Sequence, residues 1–436
     1  MIERMRLAKG RRMFWIAACA LGINLCFINT AFSQQTDTLT LSIEQAEKMF
    51  IDSNLQVLAA HYNTDAQKAL IQQAKLWDNP VLVTDQVIHA NGKFFPYSKN
   101  PDGSFNGQYF IQVQQLIKTA KKRGKLIDLA TTNTQLSELQ LQDLLRNLRF
   151  QLRSDYYTVA QQLSNRSIYQ AQQQELTRLM DGMKAQLSAG NIAQKEYLRI
   201  QALVISLQQD ITQLNRDMAD TQADLKTLLQ LKSTAFVKPS ANLASNISTD
   251  VTLDSMISKG KQNNPFYQLQ QTQTTYQQQN LAYQKALRVP DVMLGPNFDR
   301  NSNYTPNYIG LGISLPLPVF NNNKGNIRSA EFNIKQQQAV TQSAETDLQN
   351  SIASAYNKLQ LTIQQNNTTQ KDFYDQYQRM YENVLKSYQQ KQISLLEFID
   401  FFNDYTESQQ RLTQQQLNLQ LAKEELNFNI GTDIIK

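Results

Sequence analysis

Glu397 and Asp400 stand three residues apart in the segment SLLEFID, and Glu196 stands 201 positions before Glu397. Three residues is close to one helical turn, so the first two are neighbours if the segment is helical. Carboxylates that close attract cations and repel one another, and the repulsion raises some of their pKa values. No catalytic constellation accompanies them. The histidines are His61 and His89, the cysteines are Cys19 and Cys26, and no nucleophile–base set emerges. Neither a metal site nor a cofactor is expected, and the two histidines read as incidental. What the carboxylates do depends on the elements that hold them.

The first 33 residues stand apart. Arg4, Arg6, Lys9, Arg11 and Arg12 precede an apolar run from Met13 to Phe27, and Ala31 and Ser33 follow as small residues. That order is a secretory signal, with cleavage expected after Ser33. Acylation of Cys19 is the alternative reading. The segment holds five of the 43 basic and one of the 37 acidic residues, so without it the net charge falls from +6 to +2. A nearly neutral exported chain carries no nucleic-acid footprint. Both cysteines leave with the segment, and with them any disulfide or thiolate metal site.

Prolines divide the remainder. None occurs between Pro101 and Pro239 or after Pro318. Proline costs about 3 kcal/mol inside a helix, so these gaps are where long helices fit. Leu141, Leu145, Leu148, Leu152, Val159 and Leu163 follow the three/four spacing of a coiled-coil seam. A helix from about 125 to 189 would be near 100 Å long, flanked end to end by a first helix (about 44–77) and a return helix (about 191–232). Elsewhere the period is two. Ile309, Leu311, Ile313, Leu315, Leu317 and Val319 alternate with Gly310, Gly312, Ser314, Pro316 and Pro318. Such alternation fits a transmembrane barrel strand with Ile309, Leu311, Ile313 and Leu315 toward lipid. It fits a half-buried strand of a soluble sheet equally well.

The chain reads as a tandem duplication. Asn54, Lys75 and Pro80 recur as Asn264, Lys285 and Pro290 at an offset of 210. Leu116, Gly124, Ile192 and Glu196 recur as Leu317, Gly325, Ile393 and Glu397 at 201. The first half spans 34–240, with strands near 79–90 and 105–117 and a helical hairpin near 125–232. The second spans 241–436, with strands near 289–298 and 308–320 and a hairpin near 325–430. Gly190 suits a helix-terminating turn, and its counterpart is Lys391, so the two hairpin tips are expected to differ. Lys121, Lys122 and Arg123 read either as an interfacial basic belt or as a solubilising cluster.

The stretch GISLPLPVFNNNKGNI, its first-half counterpart KTAKKRGKL, and the turn segments SAGNIAQKEYLRIQ and QQKQISLLEFIDFF resemble the TolC family of outer-membrane efflux proteins. PLPVFNNNKGNI most resembles the heavy-metal branch, the CzcC/CusC-like proteins. The resemblance implies a mainly α protein with a small membrane β-barrel contribution. Three copies would close a twelve-stranded barrel in the outer membrane of a Gram-negative bacterium, and the helices would continue it as a periplasmic coiled-coil tunnel. It further implies a passive exit duct for heavy-metal cations or drugs. The partners would be a periplasmic adaptor protein, an inner-membrane pump of the resistance-nodulation-division type, and outer-membrane lipid. By the same resemblance Glu397, Asp400 and Glu196 form the periplasmic gate. Gly190, Asn191, Ile192, Ala193, Gln392, Ile393, Ser394 and Leu395 form the adaptor-docking tips. Ile393 departs from relatives that carry a closing arginine there.

Two other functions compete. A type I secretion duct would share the architecture. A non-transporting coiled-coil envelope protein would need the helices but would leave the alternating strand and the duplication unexplained. An enzyme is disfavoured by the missing constellation.

Overall fold

The computed structural model describes residues 37–435 apart from 91, 98, 100, 104–106, 242, 244–246, 248–250, 303–304 and 369–370. The expected signal, 1–33 with Cys19, lies outside the described residues. Strand β1 (Asp37–Leu41) leads into α1 (Ile43–Ser53) and α2 (Leu55–Lys75). Then follow β2 (Val81–Gln86), β3 (His89–Ala90), β4 (Lys93–Phe94), β5 (Tyr109–Ile117), α3 (Lys122–Ser188) and α4 (Gln194–Leu229). After β6 (Ala235–Pro239) the series recurs: α5 (Leu253–Asn263), α6 (Pro265–Ala286), β7 (Val292–Asn301), β8 (Pro306–Ser314), α7 (Lys324–Thr368), α8 (Lys371–Gln389) and α9 (Leu395–Ile430).

Each half begins with two helices hinged at an asparagine. Asn54 Oδ1 accepts from the amides of Gln56 and Val57 at 3.0 and 3.1 Å, while its Nδ2 donates to Leu228 O at 2.9 Å. Asn264 accepts from the Tyr267 amide at 3.1 Å and donates to Asn429 O at 2.8 Å. Such an N-cap is worth about 0.5–2 kcal/mol. The donated bond meanwhile satisfies a carbonyl that the return helix leaves open at its C-terminal end. The expected first helix is therefore two helices, because the chain turns extended at Asn54 (φ −69°, ψ 118°).

Helix α3 is 67 residues, about 100 Å, and α2 and α4 flank it in series. The leucine seam is its packing stripe: Leu152 and Val159 are fully buried, and Leu145, Leu148 and Leu163 lie against the same cluster. That cluster also takes in Phe50, Tyr156, Leu225 and Leu229. A second, around Met256, Ile352, Leu419 and Leu426, belongs to the second half. A third fills the hairpin ends with Leu176, Ile200, Tyr381, Phe398 and Phe402. Each fully buried large side chain contributes about 1.5–3 kcal/mol.

Four strands form one antiparallel sheet in the order β2-β5-β7-β8. The helices attached to them, α2, α3, α6 and α7, pack side by side in that same order. The register separates the faces. One carries Leu82, Val113, Pro296 and Leu311 in a row, with Thr84, Ile111, Phe298 and Ile309 beside it. The other carries Val83, Gln112, Asn297 and Gly310, then Asp85, Phe110, Asp299 and Tyr308. So one face is apolar and the other mixed and largely polar. Gln112 reaches Gly295 O at 3.4 Å and lies where a Cβ on Gly312 would sit. A Cβ on Gly295 would collide with the Val113 carbonyl, so β5 and β7 approach closely only because glycine is there.

Several boundaries differ from the sequence reading. The strand expected over 308–320 runs from Pro306 to Ser314, because Pro316 and Pro318 lack ladder donors. Leu315 therefore lies outside the strand, whereas Ile309, Leu311 and Ile313 remain in it, each about two-thirds or more exposed. The strand expected over 79–90 stops at Gln86, and a separate small hairpin, β3–β4, follows.

Candidate gate and docking tip

The two hairpin turns lie together at the end of the helices farthest from the sheet. In the first, the amides of Gly190 and Asn191 donate to Leu187 O and Gln186 O at 3.0 and 2.9 Å. In the second, Lys391 and Gln392 donate to Tyr388 O and Ser387 O at 2.9 and 2.8 Å. Gly190 has φ 73° and Lys391 φ 62°. Both turns are thus the same left-handed helix stop, and the expected difference between Gly190 and Lys391 is one of strain, not of shape.

The tips differ three residues later. Ser394 Oγ accepts from the Glu397 amide at 3.2 Å, and Glu397 Oε2 accepts from the Ser394 amide at 2.7 Å. This reciprocal pair caps α9, and the Ser-x-x-Glu spacing is a signal for it in the sequence. Its backbone bond, then the serine hydroxyl, hold the Glu397 carboxyl below the usual range. Glu397 in this protomer is thus spent on its own helix, contrary to a raised pKa. The first tip has Ala193 at the cap position with no side-chain bond. Glu196 is accordingly released from capping. It is half-buried and lines a cavity of about 460 Å³ between the hairpins, with Arg178, Met183, Tyr388 and Lys391. Burial, then the Glu196 charge, raise the Tyr388 phenol. Asp400 is exposed one turn beyond Glu397.

Of the tip residues, Gly190, Asn191, Ala193, Gln392 and Ser394 are exposed. Leu395 is buried, and Ile192 and Ile393 pack against the tip core, so these three hold the turns rather than present a surface. Aromatic rings stiffen that core. Tyr381 stacks on Tyr405 with centroids 4.4 Å apart, Tyr388 on Phe398 at 5.1 Å, and Tyr381 Oη donates to Glu175 at 2.8 Å.

At the other end, where sheet becomes helix, Lys122 is almost fully buried. Its Nζ lies 2.6 Å from Asp291 Oδ1 and 2.5 Å from Val289 O. The Thr119 amide donates to the same carboxylate at 2.8 Å. Burial pushes Asp291 up, but the Lys122 and Thr119 bonds outweigh it and hold the carboxyl below the usual range. Arg123 lies over the Trp77 ring at 4.5 Å and donates to Lys75 O. Lys122 and Arg123 therefore form a structural knot; Lys121 alone of the three is exposed. Sequence reasoning missed this because Asp291 is 169 residues away.

Among the described residues no helix is long and apolar enough to cross a membrane, and no group of three or more His, Cys, Asp or Glu could hold a metal. The fold is a two-faced sheet continued by long paired helices. Residues 256–432 match the outer membrane efflux protein family. The chain is 20% identical over 334 residues to the cobalt-zinc-cadmium resistance protein CzcC of Cupriavidus metallidurans, covering 73% of this chain and 75% of that one. Its fold matches CusC with a TM-score of 0.72 at 14% identity, over 93% of this chain and 96% of that one. It matches VceC of Vibrio cholerae with a TM-score of 0.69 at 13% identity, over 89% and 96%. The chain is thus similar to the outer membrane efflux protein family over residues 256–432, and to CzcC in sequence and CusC in fold.

Proposed function

We propose that three copies close the sheet into a twelve-stranded barrel and conduct metal cations passively from the periplasm to the exterior. The observation that carries this is the open sheet: β2 and β8 are both edges, and the face between them is apolar. In lipid an open edge leaves amides and carbonyls unpaired at several kcal/mol each, so the strands must find partners on other copies. Helices packed in strand order would carry that closure down into a tunnel. Exposed Asp400 and half-buried Glu196, tripled, would ring its periplasmic mouth with carboxylates, which favour cations in a narrow opening. Glu397 joins that ring only where it leaves its cap. The tips, through Gly190, Asn191, Ala193, Gln392 and Ser394, are the surface offered to a periplasmic adaptor serving an inner-membrane pump. A cation cargo is supported by the likeness to a cobalt-zinc-cadmium resistance protein. The test is migration of outer-membrane fractions with and without heating. A trimer that collapses to monomer on heating supports closure. A monomer under both conditions overturns it.

A further inference from the structure

At three of the four crossovers between strand and helix the chain exposes apolar side chains. Leu76, Trp77, Val289, Leu317, Val319 and Phe320 are each 45% exposed or more. Phe320 is wholly so. They adjoin the apolar face of the sheet at its helical end. Six exposed cations lie at or beside the crossovers in sequence: Lys75, Lys121, Lys285, Arg288, Lys324 and Arg328. None makes an ion pair among the described residues. The acids closest in sequence to these crossovers are already committed, Asp78 to Lys118 at 3.1 Å and Asp291 to Lys122 at 2.6 Å. Asp128 and Glu331 are exposed further along α3 and α7.

That arrangement has a direction. A solubilising surface mixes both signs, whereas here lysines turned inward take the acids and leave the outer cations uncompensated. Trp77 is held at the surface by Arg123 over its ring. An indole placed so combines an apolar body with a free N–H, which suits the boundary between acyl chain and headgroup. Lys75 and Lys285 are repeat counterparts, so both halves supply the collar.

We infer that this collar binds the anionic phospholipid headgroups of the periplasmic-side leaflet, recruiting acidic lipid around the junction of sheet and helices. The inference rests on the sheet lying in the bilayer. Each cation near an anionic surface adds about fivefold to the affinity.

The chain has two tryptophans, Trp15 and Trp77, so a full-length Trp15→Phe chain reports from Trp77 alone. It is reconstituted in phosphatidylcholine vesicles containing a minor share of phosphatidylglycerol, with bromine on the chains of one lipid or the other. Quenching by brominated phosphatidylglycerol above its bulk share is the expected result. The enrichment should fall to the bulk share in Lys121→Gln/Lys285→Gln/Arg288→Gln/Lys324→Gln. Quenching in proportion to bulk composition, or an enrichment that survives those four changes, overturns the inference. A Trp15→Phe/Trp77→Phe/Leu311→Trp chain separates the two failures. If neither lipid quenches that probe, the placement of the sheet in the bilayer has failed, and the collar with it.

Discussion

Arg153 ties both halves of the chain together, and its removal is the sharpest test of what holds the middle of the molecule. Its guanidinium contacts Glu47 on α1, Glu424 on α9 at 2.6 Å, and Asp433 in the C-terminal segment through two bonds of 2.8 Å. The side chain is 13% exposed and that of Glu424 only 3%. In Arg153→Met, Glu424 keeps just Lys423 at 3.1 Å. Stranding a buried carboxylate this way costs about 3–5 kcal/mol. The Asp433 arm is 45% exposed and adds at most about 1 kcal/mol after screening. A loss of about 3 kcal/mol is about two decades in hydrogen-exchange rate, read at the amides of α1 and residues 431–435. Arg153→Met/Glu424→Met should recover part of it, since the most deeply buried carboxylate is then gone, although Lys423 at 12% exposure loses its partner. A change under tenfold in the single variant, or no recovery in the double, would refute the reasoning. The pH dependence has a fixed sign. Arg153 holds Asp433 below its ordinary value. Its contribution is therefore present above the unfolded value near 4 and lost as pH falls through the lower native one.

Further expectations can be checked alongside. Asp155 is pushed up to about 7, by burial and then by Asp224. The native state thus holds a proton between about pH 4 and 7 that the unfolded chain has lost, and stability falls as pH rises through that window. Asp155→Asn should remove the slope in thermal melts and gain about 1 kcal/mol at pH 8. Lys391→Gly relieves a left-handed lysine at φ 62° and should stabilise the second tip by about 1 kcal/mol, seen as slower exchange at 388–392. Leu311→Arg, on the apolar face, should abolish outer-membrane assembly, at about 2–4 kcal/mol per copy, whereas Ser314→Asn should assemble normally in fractionation.

What the sequence made legible was periodic or repeated. The leucine seam found the packing stripe of α3, and the offset of 210 picked out Asn54 and Asn264, although not that each caps one helix and docks on another. Leu315, Leu317 and Val319 keep the alternation beyond Ser314, so the pattern extends the expected strand past Pro316 and Pro318 although both lack ladder donors. The knot of Lys122 and Asp291 and the hub at Arg153 join residues 106 to 280 positions apart, and no local pattern encodes such pairings. At the proposed gate the carboxylates stand out by their spacing. Glu397 had a second local use, the Ser-x-x-Glu cap, that competes with a role in the pore.

The central claim is that three copies form a cation-favouring duct with carboxylates at its periplasmic mouth. Single-channel recording in a planar bilayer across a salt gradient tests it most directly. Wild type is compared with Glu196→Gln/Asp400→Asn and with Glu397→Gln, all assembled as trimers. The account predicts a cation-selective reversal potential in wild type that moves toward zero when Glu196 and Asp400 are neutralised. Glu397→Gln alone should shift it less, because that carboxylate caps its own helix. A trimer that never conducts, or a reversal potential unchanged in the double variant, would contradict it.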